Sequence, residues 1–348
     1  MKAYVLHGPN DIRYEEVDVP TPVEGEVLVE VKAAGVCGSD IPRIYQTGAH
    51  RHPLIPGHEF SGVVVGLGEG VEEKWIGKRV GIFPLIPCGK CGPCQNKQYE
   101  MCRSYDYVGS RRDGAYAEYV TVPAANLIEL PNNVSFEAAA MLEPMAVAVH
   151  AMRRVSIKAG DTVIICGVGT IGTLLLMFLM DTGVKNILVV GNKESQKQNV
   201  LRFGLPEECY CDSKTVDVFE WVLNHTDGKG ADVFFECVGR NETVTQAVDL
   251  TAPAGQVCLV GNPHSNMALD KPVYWKILRN QICLTGTWNS SFTGEVDDDW
   301  HYVLERIAKG AVVPEQLISH RFSIEKIEKG FHIMRDKTED YVKIIMVM

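Results

Sequence analysis

Four cysteines, Cys88, Cys91, Cys94 and Cys102, fall within fifteen residues, and no other stretch of the chain restricts its own fold as tightly. Gly89, Gly92 and Pro93 lie among them and let the backbone curl until the sulfurs converge. Zinc takes four such ligands as a tetrahedron, and a closed all-thiolate shell leaves no position for a substrate. An iron–sulfur cluster also uses closely spaced cysteines, and four unrelated buried thiols are the blander reading. Nothing nearby points to electron transfer, so the spacing predicts a structural zinc ion. The chain carries 11 cysteines, an odd number, and Met1-Lys2-Ala3-Tyr4-Val5-Leu6 runs straight into His7-Gly8 without the apolar stretch of an export signal. The expectation is a cytoplasmic protein, where thiolate metal sites are commoner than disulfides.

A chain of 348 residues is long enough for two domains, each with its own core. The net charge of -10 argues against a nucleic-acid surface. The uncharged run 162–180 has nearly the length of a membrane span. Gly167, Gly169 and Gly172 interrupt it, however, and the run reads better as a strand, a tight turn and a helix, with no membrane partner.

Residues up to about 125 read as short strands separated by turns, with Val27–Val31, Ser61–Val65 and Arg79–Phe83 as candidates. From about residue 158 strands and helices alternate. The expected strands are Thr162–Cys166, Asn186–Val190, Asp232–Phe235 and Gln256–Val260, with helices over Thr170–Asp181, Glu194–Phe203, Val216–Asn224 and Glu242–Leu250. Alternation of this kind implies a doubly wound parallel sheet. It fades after about residue 286; a helix over Trp300–Lys309 and a strand over Val342–Val347 follow, placed to close back onto the first domain.

Cys166-Gly167-Val168-Gly169-Thr170-Ile171-Gly172 joins the first of these strands to its helix as a G-x-G-x-x-G turn. The first glycine makes the turn, the second admits a pyrophosphate, and the third lets helix and strand pack closely. Thr170 and Ile171 open the helix whose N-terminus faces the phosphates, and Val260, ending a later strand, is counted with the cofactor site. NAD binders carry an acid at the tip of the second strand, whereas this tip reads Gly191-Asn192-Lys193. Lys193 and Lys197 are placed to meet a 2′-phosphate, which leans the cofactor towards NADP over NAD; solvated helix-start lysines are the alternative.

A second donor set is spread along the sequence: Cys37 in Gly35-Val36-Cys37-Gly38-Ser39-Asp40, His58 in Gly57-His58-Glu59, and Glu143 before Pro144. A thiolate, an imidazole and a carboxylate with an open fourth position make a catalytic zinc site that lowers the pKa of a bound alcohol. Ser39 is a candidate acceptor of the hydroxyl proton, and Asp40 a candidate partner orienting His58.

Taken together, Gly35–Asp40, Gly57-His58-Glu59, the cysteine segment, Glu143-Pro144 and Gly167–Gly172 resemble the zinc-dependent medium-chain alcohol dehydrogenase family over essentially the whole chain. The resemblance implies a GroES-like irregular β catalytic domain over 1–152 and 287–348, with a Rossmann domain over 153–286 between. It implies catalytic zinc on Cys37, His58 and Glu143, with Glu59 beside or on the metal, and a homodimer or homotetramer. Pro42–His50, Gly57–Gly62 and Tyr107–Gly114 look most like the polyol-phosphate branch of the family. That branch implies oxidation of a secondary alcohol, galactitol 1-phosphate to tagatose 6-phosphate being the expected reaction. Arg43, His50, Arg111 and Arg112, with Arg51 and His52, are candidates for a cationic phosphate pocket, since arginine meets phosphate through paired donors; surface charges are the alternative. A non-phosphorylated polyol dehydrogenase of the sorbitol type and a non-catalytic nucleotide-binding redox sensor remain the competing functions. Ethanol-type members carry a relay histidine where this chain has Pro42, so any proton relay here runs differently.

Overall fold

The computed structural model of the chain describes residues 1–263 and 265–348. Two compact units emerge: Met1–Ala146 together with Ser290–Met348, and Val147–Asn289. The first division falls inside a helix, Leu142–Arg153, where no turn marks it in the sequence.

The strand Glu26–Val36 is the axis of the first unit. Val27, Val29 and Val31 are fully buried and alternate with less buried residues, the period-two pattern of a strand with one face on a core. It pairs antiparallel with Glu59–Leu67 on one side. On the other side Tyr119–Pro123 covers its first half and Lys343–Val347 its second. Arg79–Ile82 and Leu127–Glu129 extend one edge of this sheet, and Ile318–Ser323 the other. The C-terminal strand therefore completes the sheet of the first unit. The register sets Gly35 opposite both Glu59 and Ile345. Cys37 follows the end of one strand while His58 precedes the start of its neighbour, so two residues far apart in sequence emerge side by side.

The second unit is a six-stranded sheet, parallel throughout. Its spatial order is Tyr210–Asp212, Asn186–Gly191, Thr162–Cys166, Ala231–Glu236, Thr251–Leu259, Cys283–Gly286. In chain order this is 3-2-1-4-5-6, the doubly wound Rossmann topology, and it reverses between Thr162–Cys166 and Ala231–Glu236. Thr162–Cys166 and the helix Thr170–Asp181 have the bounds the sequence predicts, which accounts for the apolar run 162–180. No helix among the described residues is long and apolar enough to cross a membrane. The strand Tyr210–Asp212, the helix Lys271–Asn280 and the edge strand Cys283–Gly286 were not among the expected elements. Tyr210–Asp212 and Cys283–Gly286 are too short for a periodic signal, and the helix leaves Tyr274, Trp275 and Leu278 exposed.

Candidate active site

The sulfurs of the cysteine segment converge. Sγ–Sγ distances are 3.4 Å for Cys91–Cys94, 3.9 Å for Cys91–Cys102 and 4.0 Å for Cys88–Cys94. Bonds of about 2.3 Å to a tetrahedral zinc ion would separate sulfurs by roughly 3.8 Å, so the four fit that ion. The backbone amides of Arg103 and Cys94 draw the Cys91 thiol down to about 6, towards thiolate, while burial pushes Cys94 up to about 12. A bound cation would favour the thiolate form of Cys94. All eleven cysteines are free of disulfides.

Of the second donor set, Cys37 and His58 come together, and the carboxylate that joins them is Glu59, not Glu143. Ligand atoms of Cys37, His58 and Glu59 lie within 4.8 Å of one another. His58 is 4% exposed, and its Nδ1 makes no hydrogen bond; Asp40 faces it at 3.5 Å. Burial works to lower the imidazole pKa, but the charges of Asp40 and Cys37 outweigh it and hold it well above the ordinary value. Asp40 itself is fully buried. Burial works to raise it, yet His58 and Arg43 hold its carboxyl well below the usual range, helped by a 2.7 Å hydrogen bond from the Tyr116 hydroxyl. Ser39 lies at the ligand cysteine, its Oγ donating to Cys37 Sγ at 3.3 Å. Cys37 is only half-buried, which leaves one side of the group open.

The two carboxylates differ in their partners. Glu59 Oε2 is ion-paired to Lys343, and both side chains are about 2% exposed. Gly35 has no room for a side chain because its Cβ would lie 2.3 Å from Glu59 Oε2. Glu143 accepts a 3.2 Å hydrogen bond from the Tyr107 hydroxyl. Burial, aided by the charge of Glu59, raises its carboxyl to about 7, although His58 and Lys343 act to lower it. Among the described residues Glu143 lacks an ion-paired lysine of the kind that Glu59 has. The Tyr107 ring stands edge-on to His58 with centroids 5.7 Å apart. Tyr107, Tyr116 and Lys343 were not predicted as site residues, and the fold brings them in from distant segments.

Three of the phosphate-pocket candidates have carboxylate partners. Arg43 is paired with Asp40, Arg112 with Glu26 at 2.6 Å and Arg51 with Asp113 at 3.2 Å, while His50 is exposed. Arg111 lies over the Tyr105 ring, its guanidinium carbon 4.5 Å from the centroid.

In the second unit a cavity of about 510 Å³ opens at the topological switch point, beside Gly167, Gly169, Gly191 and Asn192. The glycines divide the work as the turn requires. Gly167 has φ +94°, a Cβ on Gly169 would meet nothing within 4 Å, and one on Gly172 would lie 2.0 Å from the Gly167 carbonyl oxygen. Thr170, Ile171, Gly172, Lys193, Lys197 and Val260 do not line this cavity, whereas Gln196, Ser213, Val238 and Arg240 do. Lys197 is paired with Glu207 at 2.5 Å. Buried Glu236 pins the loop beneath Val238: its Oε1 accepts from the Val238 and Gly239 amides, both at 2.9 Å, and from Thr243 Oγ1 at 2.8 Å. A loop following a strand at the switch point is where such residues can be sought from sequence.

Residues 23–132 match the alcohol dehydrogenase GroES-like domain, and residues 170–309 match the zinc-binding dehydrogenase domain. Galactitol 1-phosphate 5-dehydrogenase of Escherichia coli strain K12 is 32% identical over 95% of each chain. The chain belongs to the zinc-dependent medium-chain alcohol dehydrogenase family. A crystal structure of galactitol-1-phosphate dehydrogenase from Escherichia coli matches this dehydrogenase with a TM-score of 0.91, at 30% identity over 100% of both chains. Sorbitol dehydrogenase of Halalkalibacterium halodurans is 32% identical over 99% of both. A zinc-binding dehydrogenase from Sinorhizobium meliloti bound to NADP matches with a TM-score of 0.90, at 28% identity over 100% of this chain and 99% of that one. The dehydrogenase is therefore an NAD(P)-dependent enzyme acting on a small-molecule alcohol, with zinc as its metal.

Proposed function

We propose that the dehydrogenase oxidises a secondary alcohol of a polyol phosphate, galactitol 1-phosphate to tagatose 6-phosphate, with Cys37, His58 and Glu143 holding the catalytic zinc. Glu59 stays beside the metal because buried Lys343 already compensates its charge. Bound zinc would supply polarisation of the substrate oxygen and a lowered pKa for it, and a nicotinamide cofactor would supply the hydride acceptor. The chain's own groups do the rest. Asp40 orients His58, the Tyr107 hydroxyl fixes Glu143, and Ser39, within hydrogen-bond reach of Cys37 Sγ, is the first acceptor for the hydroxyl proton on its way to water.

The observation that carries the phosphate reading is the turn beginning at Tyr107. The residue that bonds Glu143 opens the same short segment that bears Arg111 and Arg112. A polyol without phosphate, of the sorbitol type, is the second reading, and the pairing of Arg43 and Arg112 with carboxylates favours it.

The cofactor reading is NADP. An acid at the strand tip would collide with Tyr210, whose hydroxyl lies 2.3 Å from a Cβ built on Gly191, and Arg240 lines the same cavity. The test is a panel of polyols and polyol phosphates assayed with both cofactors. The reading predicts highest kcat/KM for galactitol 1-phosphate with NADP. Equal or better turnover of sorbitol or galactitol would reject the phosphate, and a clear preference for NAD would reject NADP.

A further inference from the structure

We propose that Arg111 is the residue that takes the substrate's phosphate, presenting its guanidinium from a platform formed by the Tyr105 ring. This rests on the polyol-phosphate reading above and commits it to one side chain.

The argument begins with charge. Asp40 and Glu59, buried beside the metal donors, already take up Arg43 and Lys343, so a phosphate bound nearby needs a cation that no carboxylate holds. Four arginines are among the phosphate-pocket candidates. Arg43, Arg51 and Arg112 each have a carboxylate within ion-pair distance. Arg111 has none among the described residues, and it is half-buried. Its charge is held instead over an aromatic face. Stacking fixes the guanidinium but leaves its N–H edge clear, and that edge is the part that meets phosphate with paired hydrogen bonds.

Position follows from the turn and the rings. The amides of Arg111 and Arg112 both donate to the Tyr107 carbonyl, at 2.9 and 3.2 Å, so the turn is fixed on the residue that bonds Glu143. Tyr105 packs edge-on to Tyr107 with centroids 6.1 Å apart, and Tyr107 packs on His58 in the same way at 5.7 Å. Arg111, Tyr105, Tyr107 and the metal donor His58 therefore form one continuous run of contacts. A substrate bound at the metal end and extended along it brings its far terminus to Arg111. An unphosphorylated polyol gains nothing there, so Arg111 sets KM for the phosphorylated substrate and leaves the chemical step alone.

The experiment uses zinc-loaded wild type, Arg111→Gln, Arg111→Lys and Tyr105→Leu. Zinc content and thermal midpoint serve as checks on folding. Galactitol 1-phosphate and galactitol are the substrates, and inorganic phosphate is a competing probe. Loss of a charge-assisted, paired contact predicts that Arg111→Gln raises KM for galactitol 1-phosphate by about 10- to 100-fold, with kcat little changed. KM for galactitol stays the same, and competition by inorganic phosphate disappears. Arg111→Lys recovers part of the loss, and Tyr105→Leu moves KM in the same direction as Arg111→Gln. If wild type turns over galactitol 1-phosphate no better than galactitol, the polyol-phosphate reading falls and Arg111 with it. If wild type discriminates and Arg111→Gln discriminates equally well, the assignment of Arg111 alone is overturned.

Discussion

Lys343 is a lysine with almost no access to water, and its ammonium is matched by the carboxylate of Glu59 and by the Val36 carbonyl at 3.2 Å. Removing one member of such a pair leaves an uncompensated buried charge. Lys343→Met is expected to destabilise the folded protein by about 3–5 kcal/mol, read from urea unfolding of the zinc-loaded enzyme; a change under about 1 kcal/mol would mean that solvent reaches the pair. Glu143 makes the complementary prediction. In the metal-free protein burial first, then the charge of Glu59, raises its carboxyl to about 7. A proton on that carboxyl, like one on the raised His58 imidazole, competes with the ion, so zinc affinity at this site should fall as pH drops through about 7. Competition against a chromophoric chelator across that range checks the sign. Cys37, His58, Glu59 and Asp40 can be named from sequence because each sits in a short motif. Tyr107 and Lys343 cannot, because only the pairing of Ile344 with Val36 and the path of the turn bring them to the same place.

The cysteine segment and the glycine turn are self-contained pieces whose geometry is written into a few consecutive residues, which is why both were legible. The ends of Thr162–Cys166 and Thr170–Asp181 follow from glycines that a side chain would obstruct or strain. The loop Glu236–Arg240 was not legible, because its shape depends on a buried carboxylate collecting donors from its own loop and the helix beyond. The lobe of Cys88, Cys91, Cys94 and Cys102 has a closed donor set, so its work is to brace the segment that leads into Tyr105, Tyr107 and Arg111. Cys91→Ser should therefore lower zinc content by one equivalent and lower the thermal midpoint, while the protein that remains folded keeps its kcat. A folded variant with full zinc and a reduced kcat would place the lobe in the chemistry.

Both chain ends build the first unit, and the central segment builds the second. The alternation of strands and helices after about residue 158 made the Rossmann unit readable. The β unit was readable mainly through its motifs, since its sheet is assembled from strands as far apart as Glu26–Val36 and Lys343–Val347. One unit gathers two donor sets of different kind, the closed cysteine set and the half-open set at Cys37, and the other holds the nucleotide turn. This division of labour is tested most directly by following zinc content and turnover together while a chelator is titrated into the zinc-loaded enzyme. Two zinc ions per chain are expected. The ion at the open site should leave first, turnover should fall in step with that first equivalent while nicotinamide binding and folding persist, and restoring zinc should restore turnover. Turnover that survives loss of the first equivalent, or that falls only when the second leaves and the protein unfolds, would contradict it.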